Sequence, residues 1–160
     1  MILRTAAEMA AVLPTPGALF GLDLGTKTIG LATSDPGRCL ASPVETLRRA
    51  KFSQDAAQVM ARMDERQIQG LVLGWPLEMD GNEGKRCQST MSFARNFLEM
   101  RAVPILLWDE RLSTSAVERM MVREFDMTRD RRAAKVDAAA AAYILQGALD
   151  ALGRCPRPDV

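Results

Sequence analysis

The sequence contains no histidine. That excludes a Ser-His-Asp triad, a Cys-His dyad and any metal held by imidazole. Cysteine is scarce too: Cys39, Cys87 and Cys155 stand far apart, with no C-x-x-C pair, against a zinc cage or a disulfide framework. Aromatic residues make up 5%, too few for extensive base-stacking recognition. No apolar run reaches the roughly 20 residues needed to span a bilayer. The stretch Met1–Leu13 is broken by Arg4 and Glu8 and lacks the long apolar segment of a signal peptide. The expectation is a cytoplasmic protein with no membrane partner. Charge of one sign is also missing: 21 Lys and Arg against 20 Asp and Glu leave a net charge of +1. Any basic surface must therefore be local. Acid–base or metal chemistry is left to carboxylates, lysine, tyrosine and cysteine.

What is present suits a single folded unit. The chain has 160 residues, 48% of them hydrophobic, enough for one domain with a real core. Pro14-Thr15-Pro16-Gly17 punctuates its start, so residues 1–17 read as a frayed or helical N-terminal extension. Two apolar runs, Ala18 to Asp23 and Ile29 to Thr33, flank Gly25-Thr26-Lys27 and predict a hairpin. A third strand is expected within Leu40 to Leu47. Phe52, Ala56, Val59, Met60 and Met63 recur at helical spacing, and the run Gly70 to Gly74 that follows reads as a buried strand. Trp75 to Gly84 reads as a loop in which Trp75 is either an exposed stacking residue or packed on the core. A helix through Met91, Ala94, Phe97 and Leu98 leads to a strand over Val103 to Trp108. Ser115-x-x-Glu118 is a capping box for a third helix reaching about Phe125. A long alanine-rich helix covers about Lys135 to Leu152, and residues 153–160 read as a disordered tail. The order predicts an α/β fold, a mixed five-stranded sheet with helices packed on it, over residues 18–152.

Three acidic positions carry the candidate chemistry. Asp23 lies inside the first predicted strand between Leu22 and Leu24, where a carboxylate is costly unless it faces a solvated or metal-filled site. Asp109-Glu110 sits where the last predicted strand stops, the end at which α/β sheets bind ligands. Asp137 interrupts a run of small residues near the start of the final helix. Taken singly, Asp109-Glu110 also suits a turn and Asp137 a helix N-terminus. Together they can converge, and convergent carboxylates are natural ligands of Mg²⁺ or Mn²⁺. Two such ions about 3.5–4 Å apart activate water and stabilise the leaving oxygen of a phosphodiester without histidine. Gly25-Thr26-Lys27 can cradle phosphate or form an ordinary glycine turn. Lys85-Arg86 and the cluster Arg129, Arg131, Arg132 and Lys135 suit a polyanionic backbone as well as a solvated loop.

Four segments then carry a resemblance. They are Leu22-Asp23-Leu24-Gly25-Thr26-Lys27-Thr28-Ile29-Gly30, Gly74-Trp75-Pro76-Leu77-Glu78-Met79-Asp80-Gly81, Asp109-Glu110-Arg111-Leu112-Ser113-Thr114, and Lys135-Val136-Asp137 before alanines. In this order and spacing the sequence resembles the YqgF/RuvX family, associated with Holliday-junction resolution and with maturation of pre-16S ribosomal RNA. The resemblance covers roughly residues 18 to 150 and implies an RNase H-like fold. It implies that Asp23, Glu110 and Asp137 are the catalytic and metal-binding residues, choosing Glu110 where periodicity alone does not separate it from Asp109. Asp109 is then a neighbour of the site, and Lys27, Arg111 and Lys135 are substrate contacts. The implied activity is a nuclease with Mg²⁺ or Mn²⁺ as cofactor and a two-metal-ion mechanism. Its partners would be nucleic acid, precursor rRNA or branched DNA, and ribosomal particles, with the chain a monomer or homodimer.

Competing readings differ in what they need. An actin-like ATPase or sugar kinase also opens on Asp-x-Gly-Thr, but encloses its nucleotide with a duplicated domain that 160 residues do not supply. A non-catalytic ribosome or transcription factor would use the basic clusters alone, and an acidic triad beside them would repel the phosphate unless metal neutralised it. Junction resolution would call for a dimer with two symmetric sites. The expected function is therefore a metal-dependent endonuclease in maturation of the 5′ end of pre-16S rRNA, with junction resolution as the alternative.

Overall fold

Strand periodicity and one glycine-lined helix contact account for the architecture. The structure, a computed structural model, describes residues 1–77, 81, 83–110 and 129–156, with side chains from Val136 onward in the last segment. In chain order the elements are β1 (Ile2–Leu3), α1 (Ala6–Val12), β2 (Ala18–Leu24), β3 (Thr28–Ser34), β4 (Ala41–Arg48), α2 (Phe52–Arg66), β5 (Ile68–Trp75), α3 (Lys85–Met100), β6 (Ile105–Asp109) and α4 (Arg129–Gly153). The strands form one mixed sheet in the order β1-β6-β5-β2-β3-β4. β2, β3 and β4 run antiparallel, whereas β2–β5, β5–β6 and β6–β1 are parallel.

Side chains of a strand alternate between faces, and here the two faces are sharply divided. Phe20, Leu22, Leu24, Ile29, Leu31, Leu71 and Leu73 pack with α2 and α3 in one core. Leu19, Ala32, Val72 and Leu106 pack with α1 and α4 in the other. The alternation in β2 puts Gly21 and Asp23 on the same face as Leu19, towards α4. Its small residues Ala141, Ala142 and Ala148 are buried against the sheet. They let α4 approach until a Cβ built on Gly30 would stand 2.0 Å from the Asp137 carbonyl oxygen, and one on Gly21 2.7 Å from that of Ala141.

The hairpin expected around Gly25-Thr26-Lys27 is present, with Leu24 opposite Ile29 and the Gly25 N–H donating to the Thr28 carbonyl. Arg49 fastens it from outside, its backbone N–H donating to Lys27 O and its guanidinium to Gly25 O. The expected count of five strands is corrected to six. The extra strand lies in the N-terminal extension: Ile2 and Leu3 pair with Ile105 and Leu106 at the sheet edge. A two-residue strand has no alternation to read, which is why the sequence does not announce it. The helical part of that extension is α1, held by a capping box in which Thr5 Oγ1 accepts from Glu8 N–H and Glu8 accepts from Thr5 N–H. The capping-box helix expected from Ser115 to Phe125 lies outside the described residues, as does the end of the tail, 157–160.

Among the described glycines, Gly30 leaves the least room for a side chain. We expect Gly30→Ala to destabilise the protein by about 2–4 kcal/mol, at or above the usual cost of overpacking because the obstructing atom is backbone. Chemical denaturation of the two proteins checks this, and an unchanged midpoint would contradict the tight approach.

Candidate active site

Asp23, Glu110 and Asp137 come from three elements and meet at one end of the sheet. Asp23 is the next-to-last residue of β2, on the face turned to α4. Glu110 follows β6 directly, and its carboxyl group is hydrogen-bonded to that of Asp23. A Cβ on Gly74 of β5 would fall 2.4 Å from Glu110 Oε1, so the missing side chain there makes the room Glu110 occupies. Asp137 projects from α4, two turns into the helix, close enough for its charge to act on Asp23. Thr28 Oγ1 donates to Asp137 Oδ2 at 2.7 Å. Asp137 is therefore a helix-interior residue tied to the hairpin, and its reading as an N-terminal helix residue does not hold.

The strand alternation separates Glu110 from its neighbour. Leu106 and Trp108 pack on the α4 side and Ile105 and Leu107 on the α3 side. Continuing by two brings Glu110 to the α4 face and sends Asp109 to the other. Counted from the buried residues of β6, that parity was available in the sequence, although the strand's end was not.

Two carboxylates in hydrogen-bond contact share a proton, and their surroundings favour keeping it. Burial is the main reason the Glu110 carboxyl is pushed up to about 7, with the negative charge of Asp23 next. Asp23 is also raised, first by burial; the bond from Glu110 lowers it and the charge of Asp137 raises it. The proton thus sits on Glu110 and is donated to Asp23. Arg86, exposed in the first turn of α3, opposes both shifts through its positive charge. In the sequence Arg86 is one of a basic pair with Lys85, and nothing there places it at the site. Thr28 was missed as well, although it stands in the same glycine motif as Asp23.

The other expected residues are less closely engaged. Lys27 is exposed at the tip of the β2–β3 turn. Arg111 lies outside the described residues, as does the side chain of Lys135. Trp75 is not an exposed stacking residue: it ends β5, is 5% exposed, and packs in the α3-side core. Among the described residues, no group of three Cys, Asp or Glu side chains is gathered tightly enough to hold a metal ion as it stands. The donors nevertheless fit a hard divalent cation in kind. They are carboxylate oxygens, two of them half-buried together with a mutual repulsion that such a cation would cancel.

A mixed α/β sheet of this order with helices packed on both faces is an RNase H-like fold, and three carboxyl groups gather at one end of it. More particularly, the chain belongs to the RuvX family, whose model, described as "Holliday junction resolvase", matches residues 17–151. It is 60% identical over 150 residues to a Rhodospirillum rubrum protein named "Putative pre-16S rRNA nuclease", covering 94% of this chain and 92% of that one. A Rhodobacter capsulatus protein of the same name is 56% identical over 157 residues, with 98% of each chain covered. Among solved structures the fold is similar to T. thermophilus RuvC in complex with Holliday junction substrate, with a TM-score of 0.55 and 14% identity. That match covers 89% of this chain and 99% of RuvC. The fowlpox virus resolvase in its Holliday junction DNA complex gives a TM-score of 0.52 and 10% identity, covering 84% of this chain and 98% of that one.

The raised carboxyl has a consequence for stability with a definite sign. Glu110 has a folded-state pKa of about 7 against 4.5 for the unconstrained group. The folded state therefore binds the extra proton between those values. The associated stability is complete below about pH 4.5 and is lost as the pH rises through 7. In metal-free buffer the melting temperature should fall between pH 5 and pH 8 more steeply for wild type than for Glu110→Gln. Thermal melts across that range check it, and equal slopes would contradict the shared proton.

Proposed function

We propose that this protein is a divalent-metal-dependent endonuclease that hydrolyses phosphodiester bonds of precursor rRNA in maturation of the 5′ end of 16S rRNA. The observation that carries the reading is the half-buried, hydrogen-bonded Asp23–Glu110 pair with Asp137 beside it on α4. The names of the relatives and of the family support a nuclease acting on nucleic acid. The nuclease domain expected over residues 18–152 takes in the N-terminal segment as well in this reading, since β1 joins the sheet, α1 packs on it, and α4 ends at Gly153.

Asp23, Glu110 and Asp137 would hold Mg²⁺ or Mn²⁺. Bound there, one or two such ions supply a water made nucleophilic near neutral pH and positive charge for the phosphate oxygens. The protein's own part is to present the ligands. Glu110 must release its proton before its oxygens can serve as donors, so the site is readied as the pH rises past about 7. Thr28 fixes the rotation of the Asp137 carboxylate by donating to Oδ2, leaving Oδ1 without that bond. Asp55 steadies the hairpin from behind, accepting from Ala50 N–H and facing Arg49 at 3.9 Å, which in turn holds Gly25. Arg86 contributes positive charge at the rim where a phosphate would enter. Lys27, Arg111 and Lys135 complete the proposed contacts to the backbone of the nucleic acid. Among the described residues no helix is long and apolar enough to cross a membrane. A cytoplasmic site of action, where precursor rRNA and ribosomal particles are found, accords with this function.

The family's description favours one second reading, cleavage of four-way DNA junctions, which would need two copies of the site in a homodimer. A direct comparison separates the two. Wild type and Asp23→Asn are incubated with a pre-16S fragment and a four-way junction, with Mg²⁺, with Mn²⁺ and with EDTA. Wild type should cut the rRNA fragment only with metal, and Asp23→Asn should fall to background. Equal cleavage by the variant would overturn the proposed site, and junction cutting without rRNA cutting would move the substrate to DNA.

The hydrogen bond to Asp137 gives a finer expectation. Thr28→Val should lower the cleavage rate about 10–100-fold, the usual scale for losing a partner that orients a metal ligand. Thr28→Ser should restore most of it. Steady-state rates at saturating Mg²⁺ check this, and an unimpaired Thr28→Val would contradict the orienting role.

A further inference from the structure

The carboxylate site leaves one cleft unused. It lies on the α3 face of the sheet, has a volume of about 340 Å³, and opens beside the end of β5. Its floor is Trp75 with Cys87 and Met91 of α3. The guanidinium of Arg4, which follows β1, lies 4.6 Å from the centre of the Trp75 ring. Arg4 remains about half exposed and pairs with Glu83 at 3.8 Å. Gln88, Ser92 and Arg95 recur at intervals of four and three along α3, so they line one wall together, and all three are exposed. Arg95 forms no ion pair among the described residues.

Each part suits one component of a nucleotide. A half-exposed guanidinium backed by an indole is a platform on which an unpaired base stacks. A glutamine amide and a serine hydroxyl can hydrogen-bond the edge of that base. Arg95 supplies a free cation for its phosphate. The volume is at the small end of ligand pockets, which span about 300–1,000 Å³, and admits a single nucleotide better than a stacked pair. A duplex keeps its bases stacked inside, so only an unpaired strand could fill the cleft.

The cleft is placed to serve the acidic site. Trp75 is paired with Asp109 across β5 and β6, one residue before Glu110. The Cys87 thiol is raised first by burial and then by Glu83, and it also feels Glu110 and Arg4. Cleft and carboxylates therefore share the same end of the sheet, on opposite faces. Arg4 lies outside residues 17–151, the span that matches the family model. The cleft's capping cation is thus a feature that membership in the family does not specify.

We propose that the cleft formed by Arg4, Trp75 and the Gln88–Arg95 face of α3 binds one unstacked nucleotide of a single strand flanking the bond cut at the acidic site. This rests on the nuclease reading and narrows its substrate to nucleic acid with an unpaired flank, as at the ends of a precursor RNA. A fully paired junction arm has no such nucleotide to offer.

Binding and cleavage are measured separately to test it. In the Asp23→Asn background, which leaves the strand intact, a labelled five-nucleotide RNA is titrated by fluorescence anisotropy. A DNA pentamer, an RNA pentamer with one abasic position and a blunt duplex serve for comparison. Arg95→Glu and Arg4→Ala should each weaken pentamer binding about tenfold, within the range for losing one base or phosphate contact. The abasic strand should bind equally poorly and the duplex should not compete. Arg95 is exposed on a long helix, so Arg95→Glu keeps the test valid if Arg4→Ala disturbs the N-terminus. Binding that neither substitution changes, or that the duplex competes for, overturns the cleft while leaving cleavage by the parent protein intact. Pentamer binding sensitive to both arginines in a protein that cuts no nucleic acid supports the cleft and overturns the nuclease reading instead. Equal binding of RNA and DNA pentamers supports recognition through base and phosphate; preference for RNA adds the 2′-hydroxyl.

Discussion

Among the described glycines, Gly30 has the tightest surroundings, and the obstructing atoms are backbone. The carbonyl of Asp137 on α4 occupies the space that any side chain at position 30 would need, and the carbonyl of Ala141 does the same at position 21. Ala138, Ala141, Ala142 and Ala148 are small enough to let the helix settle there, and they are all buried. That contact sets the depth at which Asp137 meets the hairpin, within 2.7 Å of Thr28. It also closes the face on which Asp23 and Glu110 lie. A side chain in either glycine position would lift α4, and Asp137 with it, away from the other two acids.

A half-buried pair of carboxylates needs something to offset its repulsion and lost hydration. In the metal-free protein the offset is a proton held on Glu110, helped by the positive charge of Arg86. A divalent cation would offset the same repulsion more completely, and would have to displace that proton. The two occupants compete for one pair of side chains, so protonation, cation affinity and fold stability are linked at Asp23 and Glu110.

Much of this was legible in the sequence, for reasons that differ along the chain. The β2–β3 hairpin follows from two apolar runs around Gly25-Thr26-Lys27, and α2 and α3 from apolar residues at helical spacing. Asp23 stood out because few structural roles suit a carboxylate between Leu22 and Leu24. Glu110 needed the family pattern, since the alternation that selects it depends on where β6 is counted from. β1 was invisible because two residues show no period, and its pairing partner lies a hundred residues away. Trp75 was misplaced because Pro76 suggests a loop, while the strand continues one residue further and buries the indole under Arg4. Thr28 and Arg86 carry no signature of their own; only the approach of α3 and α4 to the hairpin gives them roles.

The central claim is that the proton shared by Asp23 and Glu110 marks the place of a divalent cation. Calorimetric titration of the protein with Mn²⁺ at pH 6.5, in buffers of different ionisation enthalpy, tests it most directly by counting protons released. Release of about three-quarters of a proton per site is expected in wild type, and weakened binding without that release in Glu110→Gln. Mn²⁺ binding of equal strength and equal proton count in the two proteins would contradict it.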